Sequence, residues 1–562
     1  REAEVLELPV NDARSGLPRR SMPAALLSFP LAILALLALG CAGKPRVGAV
    51  DLAVAPNPEA PLTARLRFTT DRPARTRLVI DDGERRTEAL AEKDYATDHE
   101  VMVLGLRAGR RHRVAISVED EAGNVGTAPA VEVATAPLPA DFPEVEVLTR
   151  DAERMEPGVT VLSLIRWSGV KPDAKWGALV AYDAEGDVVW YYKGADFLDE
   201  ARPLPNGHLL TLYSDEGQML EMDMLGTIAR RWHTTGIPKE GVPSTSIAVD
   251  ADTFHHDVCR TPSGNLLVLS SEVRRFDDYP SSETDPRAPR RPTNVVGDVL
   301  LELTPEGKVV GRHRFLDLLD PYLLGYDSLD TGFWLEVYDQ YEDDPVHDWA
   351  HANSLHCESD DRALVSFNHL SALVALDLRK GAIEWLFSEP TGWKEPWSSK
   401  LLAAGEGFEW PYYFHAVTRT RRGTLLLFDN GIARARPFRP RVPAAEAWSR
   451  AVELDVDEQA RTVSQVWSYG GPGADRFLTP FLSEADELPT TGNILITDGG
   501  HVRGADGADT DEVAGGHHWG RVLEVTHSEP PEKVWELRID NPDSGWAIYR
   551  GERLPSLYPS EW

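Results

Sequence analysis

Residues 410–431 read WPYYFHAVTRTRRGTLLLFDNG, and the chain repeats their pattern. His415 opens a short mixed run, a tight turn follows at Arg421–Gly423, and an apolar run then ends in Asp429-Asn430-Gly431. His415 stands eight residues before the turn glycine, Gly423. In HHDVCRTPSGNLLVLS, His256 stands eight before Gly264, and in HANSLHCESDDRALVS, Asn353 stands eight before Asp361. Equivalent positions of three repeats thus carry His, Asn and His, which points to one shared site.

Working outward, each such unit continues into a strand, a turn and a strand that usually ends in Trp. Copies end at Trp190, Trp232, His313, Trp385, Trp467 and Trp535, each preceded by a short strand such as GHLLTLY or GNILITD. Six β-units spaced tens of residues apart predict an all-β chain whose larger part is a six-bladed β-propeller, with tryptophans packing between blades. The tail 540–562 is too apolar for disorder and is expected to supply the missing inner strand of the first blade. Upstream, residues 49–137 alternate as short strands, with turns at Pro56-Asn57, Asp81-Asp82-Gly83 and Ala122-Gly123-Asn124. That spacing predicts a small β-sandwich, and residues 104–124 resemble a corner of a fibronectin type III domain. The expected division is an N-terminal extension and signal at 1–41, the sandwich at 42–140 and the propeller at 141–562. Two insertions break the rhythm: 274–294, read as a surface loop, and the acidic, aromatic 316–349, read as a lid beside the channel mouth.

With 562 residues the chain can hold several full cores, and a formal charge of −32 argues against nucleic acid as a partner. Arg19-Arg20 precede an apolar run, 22–40, that ends at Cys41. A basic stretch, an apolar stretch and a small residue before the cysteine resemble a bacterial lipoprotein signal, with Cys41 as the lipidated residue. The expectation is an exported protein, lipid-anchored in the periplasm or at the cell surface. Residues 1–18 look unneeded for export and are read as an over-extended frame. Cys259 and Cys357 remain; they can meet on neighbouring strands in an oxidising compartment or stand as two buried thiols, and the sequence leaves both open.

Inner strands converge on a propeller axis, and residues two apart share a face. That gathers His255 and His256, His351 and Asn353, Tyr413 and His415, and Arg550 from the tail. Imidazoles, an amide and a guanidinium around one axis suit an oxyanion, and an imidazole nucleophile is at hand. Clustered histidines also suit a metal, but no HxH or HExxH pairing occurs, and metal is not expected. The glycine- and acid-rich stretch 498–516 lacks EF-hand spacing and is read as a mobile loop.

These residues resemble the bacterial arylsulfate sulfotransferases, in HHDV…GNLLVL, HANSL…ALVSFNHLSALVALD, FHAV…GTLLLFDNG and the terminal YRGERLPSLY. The resemblance spans 150–560. It implies an exported six-bladed propeller that moves a sulfuryl group from a phenolic sulfate ester to a phenolic acceptor, without 3′-phosphoadenylylsulfate or other cofactor. It also implies a ping-pong route through a sulfohistidine. His415 matches the family's nucleophile; His256 and His351 match its supporting histidines, and Asn353 lies in the same HxNS motif. His255, Asn368, His369, Tyr413 and Arg550 are the remaining candidates for substrate contact. Where the family has Arg before His in the strand after HxNS, this chain has Asn368 followed by His369. The disulfide near the nucleophile in some members has no counterpart here. Trp410, Tyr412, Tyr413 and Trp334 are candidate platforms for aryl rings. The alternatives are a non-catalytic surface propeller that binds an anionic ligand and a metal-dependent esterase or lactonase propeller. A homodimer is left open.

Overall fold

The computed structural model describes residues 43–166, 176–194, 197–473, 476–542 and 544–562. The signal and lipidation reading at Cys41 lies outside the described residues. Residues 44–562 form one compact, nearly all-β unit.

The first seven strands pair around one long strand, Ala64–Asp81. Its residues alternate between buried and more exposed along almost its whole length, as a two-residue side-chain period requires. Partners lie along both edges: Ala96–Val103 against its first half, Arg111–Asp120 against its second. The buried face does not close on itself. Leu66, Leu78, Val101 and Ile116 share one apolar cluster with Leu179, Trp190, Leu209 and Met222 further along the chain.

Among the described residues six more sheets follow, here numbered I to VI in chain order; sheets II to VI each have four consecutive antiparallel strands at their heart, and sheet I has three. The tail strand Trp546–Leu554 pairs antiparallel with Val159–Arg166 in sheet I, as the tail's apolar pattern predicted. In turn, the early strand Glu146–Arg150 adds to the edge of sheet VI beside Lys533–Ile539. The repeat tryptophans link one sheet to the next. Trp190 of sheet I donates its indole N–H to Met224 O of sheet II, and Trp232 of sheet II donates to Pro305 O of sheet III. Trp467 of sheet V donates to Ser528 O of sheet VI, and Trp535 of sheet VI donates to Ala184 O of sheet I.

In sheets III, IV and V the strand that begins near His256, His351 or His415 has one edge without a ladder partner, so its buried N–H groups need acceptors from elsewhere. The preceding sheet supplies them. Glu200 accepts from Val258 N, Asp257 from Leu355 N, and the Ser354 hydroxyl from Val417 N. These contacts fix the spacing of the strands that begin near His256, His351 and His415.

Two expectations change. Residues 274–294 are not a simple loop: Leu266–Tyr279 and Arg291–Leu303 form a long hairpin whose pairing runs out to Tyr279 and Arg291. The stretch read as a mobile loop from 498 begins in strand, within Ile494–Arg503. In the first, polar residues occupy the exposed part of paired strands; in the second, the polar Asp498 and His501 are buried and pair with each other at 2.8 Å, so polarity alone misread both.

Cys259 and Cys357 form a disulfide between the first strands of sheets III and IV, across 98 residues of chain. It settles the alternative left open by the sequence. Loop-closure entropy for a span of that size gives an upper contribution of about 4–5 kcal/mol. The Cys259→Ser/Cys357→Ser variant is expected to unfold at lower denaturant concentration than the oxidised protein. Coincident transitions for the two would contradict that.

Candidate functional site

Three neighbouring sheets each deliver a histidine at the entrance of the first strand: His256 before Val258–Arg260, His351 before Ala352–Ser359, and His415 at the head of His415–Arg419. The backbone there is unusual. His256, His351 and Tyr413 have φ of 59°, 57° and 55°, the left-handed region that bulky residues avoid. Such conformations cost on the order of 1 kcal/mol or more each and persist where the surroundings over-determine them.

His415 is buried, and its Nδ1 lies 2.7 Å from Asn430 Oδ1. The Asn430 amide nitrogen donates to Thr479 O at 2.8 Å and to Leu482 O at 3.1 Å, which settles the amide's orientation. Its oxygen therefore faces His415 and can only accept, so Nδ1 carries the proton and Nε2 carries the lone pair. Burial pushes the His415 pKa down to about 3, and the charge of Arg550 adds to the effect. The imidazole is neutral at any ordinary pH.

His351 is the opposite case. Burial disfavours its charge, but Asp348, 2.6 Å from Nδ1, raises its pKa above the usual value. Asp348 itself is held down at about 2 despite burial, by His351 and His369 and by the Trp334 indole N–H at 2.9 Å. The His369 ring stacks on His351 at 4.9 Å, with its Nδ1 2.8 Å from Asp348 O.

His256 packs edge-on against His351 at 4.7 Å. His255 Nε2 lies 2.9 Å from Ser270 O, which can only accept, so His255 Nδ1 is an acceptor for His256 Nδ1 at 2.8 Å. That leaves the His256 Nε2 lone pair free to point elsewhere. Burial holds the pKa of His255 at about 4 and that of His256 well below normal.

Other predicted site residues do different work. Asn353 is fully buried, with its amide nitrogen donating to Phe414 O at 3.0 Å and its oxygen accepting from the Ser366 hydroxyl. It ties the His351 strand to the His415 strand from a fully buried position. The Tyr413 hydroxyl donates to Tyr326 O at 2.7 Å, and the Tyr413 carbonyl accepts from Asn368 at 3.0 Å. The Asn368 amide nitrogen also lies 3.5 Å from His415 Nδ1, so this side chain does stand beside the His415 ring. Arg550 is not the free cation expected from the sequence. It donates to Glu484 at 3.0 Å and to Asn353 O at 3.0 Å, with Asp257 at 3.4 Å. Trp410 packs on Phe387 and Phe408, in the core between sheets IV and V, rather than against the histidines.

The insertion 316–349 does reach the site. Trp334 meets His255 at 5.4 Å, while the half-exposed Phe333 lies 4.5 Å from the His351 ring and 5.8 Å from that of His256. Phe333, Asp348 and Asn430 were not picked out by sequence reasoning, although Asn430 sits in the quoted FDNG motif and Asp348 three residues before His351.

Among the described residues, Asp348, His351 and His369 have the mutual spacing of metal ligands, with ligand atoms within 4.8 Å of one another. As the protein is built, two of these atoms already pair, His351 Nδ1 with Asp348 Oδ2. The arrangement is therefore a neutral imidazole with a free Nε2 beside a carboxylate-paired, charge-prone imidazole. Chemically it offers a nucleophile and an acid whose charge reaches it.

Comparison with known proteins identifies a family. The family model described as Arylsulfotransferase (ASST) matches residues 144–550. An arylsulfate sulfotransferase AssT of Escherichia coli O6:H1 is 26% identical over 355 residues, 54% of this chain and 54% of that protein. The AssT of Lelliottia amnigena is 27% identical over 355 residues, with the same shares. The chain thus spans about half the length of the curated relatives it matches. A crystal structure of a protein of unknown function from Bacteroides caccae aligns at 11% identity and a TM-score of 0.28, over 70% of this chain and 93% of its own. The family model covers well over half of the sequence and both the His351 and His415 elements, so the chain belongs to the arylsulfotransferase (ASST) family.

Proposed function

We propose that this protein is an arylsulfate sulfotransferase that moves a sulfuryl group between phenols through a sulfohistidine on His415. The observation that carries the reading is the fixed tautomer of His415, with Nδ1–H committed to Asn430 and the Nε2 lone pair available at ordinary pH. In the first half-reaction Nε2 attacks sulfur, the bond from sulfur to the aryl oxygen breaks, and the leaving phenolate takes a proton from charged His351. In the second, an acceptor phenol gives its proton back to His351, its oxygen attacks sulfur, and the N–S bond breaks. The ring is cationic while sulfated, and Nδ1–H donating to Asn430 Oδ1 stabilises it. His256 packs edge-on against His351 and holds that ring in place. Asn368 stands where the family has Arg, and with Arg550 paired to Glu484 and Asp257, the positive charge on His351 serves the sulfuryl oxygens. Phe333 covers the aryl ring.

The same reading takes the six linked sheets as the blades of a propeller over 141–562, and residues 42–140 as a sandwich domain beside it. The transfer of hydrogen bonds from sheet VI back to sheet I through Trp535 supports this. Export, with lipid attachment at Cys41, fits a chain that holds a disulfide.

The test is release of p-nitrophenol from p-nitrophenyl sulfate with and without phenol. Release stimulated by phenol supports transfer; release indifferent to phenol means hydrolysis, and no release from any aryl sulfate removes the proposal. Two further outcomes are expected. Asn430→Leu, which frees the His415 tautomer, lowers kcat by about 10²-fold or more with little change in KM; an unchanged kcat contradicts the tautomer argument. Prior treatment with a strong chelator leaves transfer intact, whereas activity lost and restored by a divalent metal would turn the Asp348–His351–His369 group into a metal site.

A further inference from the structure

Beside the His415 strand lies a cavity of about 320 Å³, lined by Tyr412, Arg434, Arg436, Arg439, Glu389 and Thr391 among others. Arg436 is the unusual member. It is 4% exposed, and its Nη1 donates to Leu370 O at 2.6 Å, but Nε and Nη2 have no hydrogen-bond partner. The Glu389 carboxylate is 3.9 Å from Nε, beyond hydrogen-bond range, and both its oxygens accept from Thr391, at 2.7 and 3.1 Å. Nε and Nη2 form an edge of the guanidinium that presents two parallel N–H groups, a fork that grips a carboxylate with two bonds. Leaving both donors of a buried cation unmet is costly, so the edge is built for an occupant. Arg434 does not compete for it, being taken by Asp429 and Trp448 O.

The cavity is close to the chemistry. Leu370, which holds Arg436, directly follows His369, and Tyr412 is three residues from His415, at most about 11 Å along the chain. Tyr412 supplies an aromatic ring, and Arg436 and Arg439 share the lining with a single carboxylate, Glu389, so the lining selects an anion with an apolar ring.

We propose that this cavity is a second subsite that binds the carboxylate of an aromatic acid, so that carboxylated phenols are the preferred partners in transfer. The subsite rests on the transferase reading only for its place in the reaction. Its own test therefore uses binding without turnover: titration of the full chain with benzoate by calorimetry, with benzyl alcohol and inorganic sulfate as comparison arms. Benzoate binds, benzyl alcohol does not, and sulfate binds more weakly because it lacks the ring. Arg436→Met weakens benzoate at least about tenfold. Glu389→Gln, which removes the opposing charge, tightens it several-fold, an effect that misfolding cannot imitate. In transfer, the ratio of kcat/KM for 4-hydroxybenzoate to that for phenol falls about tenfold in Arg436→Met. Benzoate binding absent from the wild type, or unaffected by both substitutions, overturns the subsite, and so does sulfate binding equal to benzoate. If benzoate binds as described but no aryl sulfate is turned over, the transferase reading fails and the subsite stands.

Discussion

Replacing His415 with alanine is expected to lower phenol-dependent transfer by at least about 10⁴-fold, with the fold intact by circular dichroism. Removing a nucleophile that forms the covalent intermediate costs on this scale because the remaining groups cannot split the reaction into two steps. The depressed pKa of His415 adds a second expectation. With its pKa at about 3 against an ordinary 6.5, the nucleophile stays unprotonated throughout the working range, so His415 produces no acidic limb near neutrality. The same depression affects stability. The unfolded chain takes up protons below about pH 6.5 that the native site refuses, so stability declines as pH falls from there toward 3. Variant activity within tenfold of the wild type would remove His415 from the chemistry.

The second large effect concerns the acid. Asp348→Asn is expected to lower kcat by about 10²–10³-fold, the range of a lost general acid, and to move the alkaline limb of the rate profile to lower pH. The sign follows from the charges. His351 must be protonated to serve the leaving phenolate, so activity falls as pH rises through its pKa, which Asp348 holds above normal. Without the carboxylate the buried imidazole loses its proton at lower pH, and the limb shifts with it. Trp334 loses its partner in the same variant, so Trp334→Phe is the control: it keeps the limb in place while removing the indole contact. A limb unmoved by Asp348→Asn would assign the acid to another group.

Much of this was legible in the sequence because it is periodic. The repeated turn positions placed His256, Asn353 and His415 on equivalent strand entrances, and the terminal tryptophans marked each unit. The apolar tail announced a strand that pairs far back in the chain. What was not legible depends on contacts between distant residues. Asn353 and His415 occupy equivalent positions, yet one is an internal clamp because Ser366 and Phe414 O meet its amide. Arg550 looks like an available cation until Glu484 and Asp257, 66 and 293 residues away in sequence, neutralise it. Asp348 lies near His351 in sequence, but only the left-handed turn at His351 brings carboxylate and ring together. Arg436 sits in an arginine-rich stretch where no local pattern separates a satisfied guanidinium from an unsatisfied one.

The most direct measurement is to mix the protein with an aryl sulfate in the absence of any phenol acceptor, quench, digest under neutral conditions and map the modified residue by mass spectrometry. The account predicts one sulfuryl group per chain on His415, absent from His415→Ala and discharged when phenol is added. Burst release of phenol with no modified histidine, or a stable label on His256, His351 or His369, would contradict it.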